Sequence, residues 1–155
     1  MTNQPATNPA DDRTICFLGN NVIRVLVSGP EIGGAYCVLE EIAQPGGGGN
    51  ALHTDPFLET RYVLEGAVEF TVEREGQLET WVAGPGETIS VPPGAKHRFV
   101  GAGDGPCRML LIARPEMEAF VRALAAAWPG PYDRAETPKV VGPLFSQFGV
   151  HFCKQ

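Results

Sequence analysis

From Thr60 onward the chain runs in short alternating stretches, each stopped by a turn: "TRYVLEG", "AVEFTVER" and "GQLETWVA", broken at Glu65-Gly66 and Glu75-Gly76. Alternation with period two turns one side of an extended segment to a core and the other to water. A helix needs apolar residues about every 3.6 positions, so these stretches do not read as helical. "GPGETISVPPG", "KHRFVGAG" and "CRMLLIAR" continue the pattern with further strands. Upstream, "TICFLGNNVIRVLVSG" reads as two β-branched strands around a tight turn at Gly19-Asn20-Asn21, and "GAYCVLEEIAQ" as another strand. Nineteen glycines and fourteen prolines are spread along the 155 residues, as turn punctuation between many short strands. The expected class is all-β, a sandwich or a barrel.

The period changes only after residue 114. In "PEMEAFVRALAAAW", Met117, Phe120, Val121, Leu124 and Trp128 recur at helical spacing. Pro115 suits the first turn, and Glu116 and Glu118 suit the positive end of the helix dipole. The expected arrangement is one C-terminal helix packed on the outside of the β core. "KVVGPLFSQF" reads as a short broken helix and "GVHF" as a last extended piece. Residues 1–13 are polar and read as a flexible arm, with one domain over 14–155.

A net charge of -6 argues against a nucleic-acid surface. The N-terminus lacks an apolar segment of the secretory kind, and no run of about 18 apolar residues could span a bilayer. The four cysteines (Cys16, Cys37, Cys107, Cys153) share no short spacing and read as buried small hydrophobes in a reducing, cytoplasmic setting.

The chemistry concentrates in "LHTDPFLETRYVLEG", which follows the flexible glycine loop "PGGGGN" and carries His53, Asp55, Glu59 and Arg61. Residues two apart on a strand share a face, so His53 and Asp55 can aim together into a barrel mouth. Glu59 opens the next strand, and His97 follows the Pro-Pro-Gly turn. Two imidazoles and two carboxylates meeting at one point suit one divalent transition metal: iron, nickel, manganese or zinc.

These positions resemble the two motifs of the cupins. The first is matched by Gly47, His53, Glu59 and Gly66, with Asp55 where a second histidine is expected. The second is matched by Gly86, Pro92, Gly94 and His97, with Gly101 in place of an asparagine. The chain is most similar to single-domain bacterial cupins of the quercetin-dioxygenase-like group. The resemblance implies a double-stranded β-helix, or jelly-roll, barrel and a metal held by His53, Asp55, Glu59 and His97. It also implies a small phenolic or enediol-type substrate, with Glu59 ligating the metal or taking the substrate's hydroxyl proton. Asp55 alters the usual three-histidine set and favours harder metals.

Arg61 shares a strand face with Glu59 and admits three readings. It can pair with Asp55 and Glu59 in place of a metal, clamp a substrate carboxylate or phenolate, or face solvent across a bulge. Four functions remain open accordingly: a dioxygenase-like enzyme, a non-redox isomerase, cyclase or decarboxylase, a metal-free binding protein, and a 2-oxoglutarate-type oxygenase. The last takes His53-x-Asp55 and His97 as ligands and Arg108 as the cosubstrate's anchor. His151, alone near the C-terminus, reads as no ligand, and Phe70, Trp81 and Phe99 read as core. Tyr62, Leu64 and Val68 suggest an apolar outer face and a homodimer.

Overall fold

The computed structural model describes residues 13–17, 21–128 and 135–154. Eleven strands build two antiparallel sheets. The first six are β1 (Thr14–Phe17), β2 (Asn21–Val27), β3 (Cys37–Ala43), β4 (His53–Thr54), β5 (Glu59–Glu65) and β6 (Ala67–Arg74). Then come β7 (Gln77–Ala83), β8 (Thr88–Val91), β9 (His97–Ala102) and β10 (Cys107–Ala113). Helix α1 (Pro115–Ala127), helix α2 (Thr137–Gln147) and β11 (His151–Phe152) close the chain. One sheet runs β1-β2-β3-β10-β5-β8 and the other β11-β4-β9-β6-β7. Successive strands β5 and β6 thus belong to different sheets, as a jelly roll requires. Among the described residues, β6 and β7 form a two-residue hairpin, turning through Glu75 and Gly76 at φ 51° and 78°.

Strand alternation decides what faces inward. In β3 the row Cys37, Leu39, Glu41 and Ala43 is buried; in β10 it is Cys107, Met109, Leu111 and Ala113; in β5 it is Glu59, Arg61 and Val63. These rows cross three zones. At one end Val63, Val68, Phe70, Val72, Phe99 and Met109 pack between the two sheets. At the other, Ile23, Leu39 and Leu111 of the first sheet meet Met117, Phe120, Val121 and Leu124 of α1. The band between them is polar, which makes it the place to look for function.

The helix expected at residue 115 is therefore present. It lies beyond the closed part of the barrel, against the sheet face that further along lines the interior. The broken helix expected at "KVVGPLFSQF" is one continuous helix, α2, with Pro143 inside it. The anticipated turn at Gly19-Asn20 falls outside the described residues, as do residues 1–12 of the N-terminal arm. Arg13, the arm's last residue, is tied down: its guanidinium donates to the carbonyls of Val25 and Leu26 and pairs with Glu31. Val68 is wholly buried in the core rather than on the outer face. Its register opposite Ala83 and Gly101 puts it on the inward row with Phe70 and Val72. No helix among the described residues is long and apolar enough to cross a membrane.

Candidate metal centre

β4 and β9 pair antiparallel with His53 directly opposite His97, so the two rings sit side by side at 4.3 Å between centroids. Each ring is turned by its own backbone. His53 Nδ1 lies 2.7 Å from the Ala51 carbonyl, and His97 Nδ1 lies 2.9 Å from the Ala95 carbonyl. Both carbonyls accept from Nδ1–H, which turns each Nε2 toward the Asp55 carboxylate, the orientation metal-binding histidines adopt.

Asp55 divides its carboxylate between structure and site. Oδ1 accepts from the Phe57 amide at 3.0 Å, while Oδ2 lies 3.7 Å from His53 Nε2 and 3.4 Å from His97 Nε2. The Asp55 carbonyl accepts from the Gly94 amide at 2.7 Å, which ties the Pro-Pro-Gly turn and hence His97 to this segment. Ligand atoms of His53, Asp55 and His97 all lie within 4.8 Å of one another, a group that could hold a metal ion. Donors bound at about 2.1 Å stand roughly 3–4 Å apart from each other, and the two Asp55 Oδ2 distances of 3.7 and 3.4 Å are of that size.

Nε2 of His97 is buried and has no hydrogen-bond partner among the described residues. The Asp55 and Glu59 oxygens at 3.4 and 3.7 Å attract it without bonding it. A buried polar atom left in this state is costly unless something else completes it. Burial favours the neutral ring, but the Asp55 and Glu59 carboxylates outweigh it and raise the His97 pKa to about 9. His53 moves the other way, lowered by burial and by the neighbouring His97 charge.

Glu59 is 1% exposed and faces two partners. Oε2 accepts from Arg61 Nη2 at 2.9 Å, and Oε1 stands 3.7 Å from His97 Nε2. Burial would raise its pKa, yet the Arg61 guanidinium, and His97 after it, hold it at about 2. Arg61 faces inward at 4% exposure, which rules out the solvent-facing alternative. Its carboxylate partners differ from those expected. Nη1 donates to Glu41 at 2.6 Å, so the ion pair runs Glu41–Arg61–Glu59 and Asp55 is left to the histidines. Both terminal nitrogens of Arg61 thus face carboxylates inside the barrel.

Glu41 is the residue that sequence reasoning missed. The signal lay in "VLEEIA": two adjacent glutamates on a strand must face opposite ways, so one had to point inward. Glu41 does, while Glu40 pairs on the other face with Arg24 and Arg108. Arg108 also pairs with Glu65 at 2.6 Å and stays on that outer face, so it anchors nothing in the cavity. His151 sits exposed opposite Thr54 in β11, away from the cluster.

Phe99 is core, as expected, but it also supports the site. The Arg61 guanidinium lies 3.9 Å from its ring centroid. The glycine loop crosses the same ring: a Cβ on Gly48 or Gly49 would come within 2.7 Å of its carbons. Gly101 has a similar reason to be glycine, because a Cβ there would lie 2.4 Å from the Gln44 carbonyl oxygen. That contact accounts for the absent asparagine of the second motif.

Residues 39–113 match the family model described as the cupin domain. The barrel is a cupin domain. Among solved structures, a mutant Bacillus subtilis oxalate decarboxylase is similar at TM-score 0.58 and 19% identity, over 69% of this chain and 28% of that one. A predicted oxalate decarboxylase from Thermotoga maritima matches at TM-score 0.55 and 15% identity, over 68% of this chain and 96% of its own. Hydroxypropylphosphonic acid epoxidase from S. wedmorenis matches at TM-score 0.53 and 19% identity, over 68% of this chain and 57% of that one. This chain thus spans under a third of the Bacillus enzyme's length. At these identities the likeness is one of fold. No curated protein matches the chain.

Proposed function

We propose that this cupin is a metal-dependent enzyme acting on a small organic molecule of the phenolic or enediol kind, by dioxygenase-type chemistry. The reading is carried by the buried, unpartnered Nε2 of His97, with His53 Nε2 and Asp55 Oδ2 turned toward the same point. His53, Asp55 and His97 would hold one divalent ion of iron, nickel, manganese or zinc, with Glu59 Oε1 as the nearest further donor. Such an ion supplies Lewis-acid activation of a substrate oxygen and, where it is redox-active, chemistry with O2.

The chain's own residues prepare that site. The Ala51 and Ala95 carbonyls fix the imidazole tautomers, and the Phe57 amide holds Asp55. Arg61 keeps Glu59 ionised and aimed. A carboxyl titrating at about 2 is a weak proton acceptor near neutrality, so Glu59 serves as an anionic ligand rather than a general base. Arg61 is then a positioning residue.

A non-redox isomerase, cyclase or decarboxylase is the second reading, favoured by the carboxylates of Asp55 and Glu59, which suit a hard Lewis acid. In the metal-free reading Arg61 pairs with Glu41 and Glu59, and the cation beside Asp55 is a protonated His97. Protein purified without chelators should carry about one metal ion per chain, and His53→Ala and His97→Ala should each lose it. Retention of the metal in both variants would overturn the assignment. Oxygen uptake during turnover of catechols and enediols separates the two enzymatic readings. The homodimer proposed for the chain would use Tyr36, Leu58, Tyr62 and Ile112, which are exposed together on the outer side.

A further inference from the structure

The cavity that reaches His53, Asp55 and Glu59 of the metal centre has a volume of about 640 Å³, within the range of pockets for drug-sized ligands. Its walls are of two kinds. At the barrel end stand His53, Asp55, Glu59, Arg61 and Glu41; at the other end stand Met117, Phe120, Leu124, Val141 and Phe145. The apolar wall comes from α1 and α2, both C-terminal to residue 113, where the cupin-domain match stops.

Charge at the polar end is already balanced once a divalent ion is placed there. Three carboxylates, of Glu41, Asp55 and Glu59, face one guanidinium and an ion of charge two. A dianion would enter this buried place with no cation left to receive it. The guanidinium of Arg61 is occupied on both terminal nitrogens. At the apolar end the reverse holds: the side chains of Met117, Phe120, Leu124, Val141 and Phe145 carry no strong hydrogen-bonding group and gain contacts from an apolar occupant.

We infer that the ligand of this site is an amphiphile: an uncharged or singly charged oxygen-donor head at His53, Asp55 and His97, joined to an apolar body lodged under α1 and α2. The inference rests on the metal reading for its head and on the helices alone for its body. The C-terminal helices are on this account the specificity-determining part of the chain, and a small dianion such as oxalate is excluded as the preferred ligand.

The test is a calorimetric titration of the full-length, metal-loaded protein with acetohydroxamate, butanohydroxamate, hexanohydroxamate and oxalate. The hydroxamate head is a singly charged oxygen chelator, and only the apolar chain varies. Affinity should rise about fourfold for each added methylene, with oxalate weaker than hexanohydroxamate. Val141→Trp should flatten that dependence while leaving metal content unchanged. Phe145→Ser, at a partly buried position, is the second variant should the first fold poorly, and it should at least halve the gain per methylene.

Equal affinity across the series, or oxalate binding most tightly, overturns the proposal. The same titration on chelator-stripped protein separates it from the metal reading. If chain-length dependence persists and stripping weakens no hydroxamate, the apolar body stands and the metal assignment falls. If one metal is bound per chain but affinity ignores chain length, the metal assignment stands and the amphiphile falls.

Discussion

The two apolar ends of the molecule are built from the same strands and differ in what faces them. β3 sends Ala43 to one end and Leu39 to the other; β10 sends Met109 and Leu111. At the closed end the partner is the second sheet, and Val63, Val68, Phe70, Val72 and Met109 are at most 2% exposed. Two sheets of matching twist interdigitate at about 10 Å and leave little space. At the open end the partner is a helix pair, and the cavity of about 640 Å³ remains between helices and sheet. One end provides rigidity, the other room, and the polar band between them is held from both sides. Phe99 belongs to the closed-end cluster and carries Arg61 on its ring, so the packed end fixes the geometry that the roomy end exposes to a ligand.

The largest expected effect lies in the band itself. Arg61→Leu leaves Glu41 and Glu59 buried without their cation and should cost about 3–5 kcal/mol in denaturant unfolding. A loss below about 1 kcal/mol would mean the ion pair is not the pillar between the two ends. Next comes one deletion made at each end. Phe70→Ala should cost about 3–5 kcal/mol, whereas Phe145→Ala, partly buried beside space that already exists, should cost about 1–2 kcal/mol. Equal costs would erase the distinction drawn here.

A smaller effect is one of pH. His97 is raised from 6.5 to about 9, so in metal-free protein its contribution to stability is full below 6.5 and is lost as pH climbs through 9. Metal uptake must displace that proton and therefore runs opposite, strengthening about tenfold per unit from pH 7 to 9 in a competition assay with a buffered chelator. The smallest change in stability belongs to the outer face. Tyr62→Glu should shift stability by less than about 0.5 kcal/mol and break the proposed homodimer, read by light scattering, leaving both ends untouched.

Much of the barrel was legible because strand alternation is local: each two-residue step announces its face without knowledge of the partner. The convergence of His53, Asp55 and His97 was legible too, since the turns that set it carry glycine and proline at fixed offsets. The partner of Arg61 was not. Asp55 and Glu41 are equally acidic in sequence, and only the pairing of β3 with β10, and of β10 with β5, brings Glu41 beside Arg61. Val68 misled because its strand's inward parity depends on its register with β9.

By itself the sequence determined the strands, the first helix and the metal-ligand types, because these follow from periodicity and side-chain chemistry along a single segment. Only the tertiary structure decided that Glu41 neutralises Arg61, that Arg108 stays outside, and that the C-terminal helices roof a cavity instead of sealing it. Those outcomes depend on which distant segments meet, and that is set by the closure of the two sheets, which no local pattern encodes.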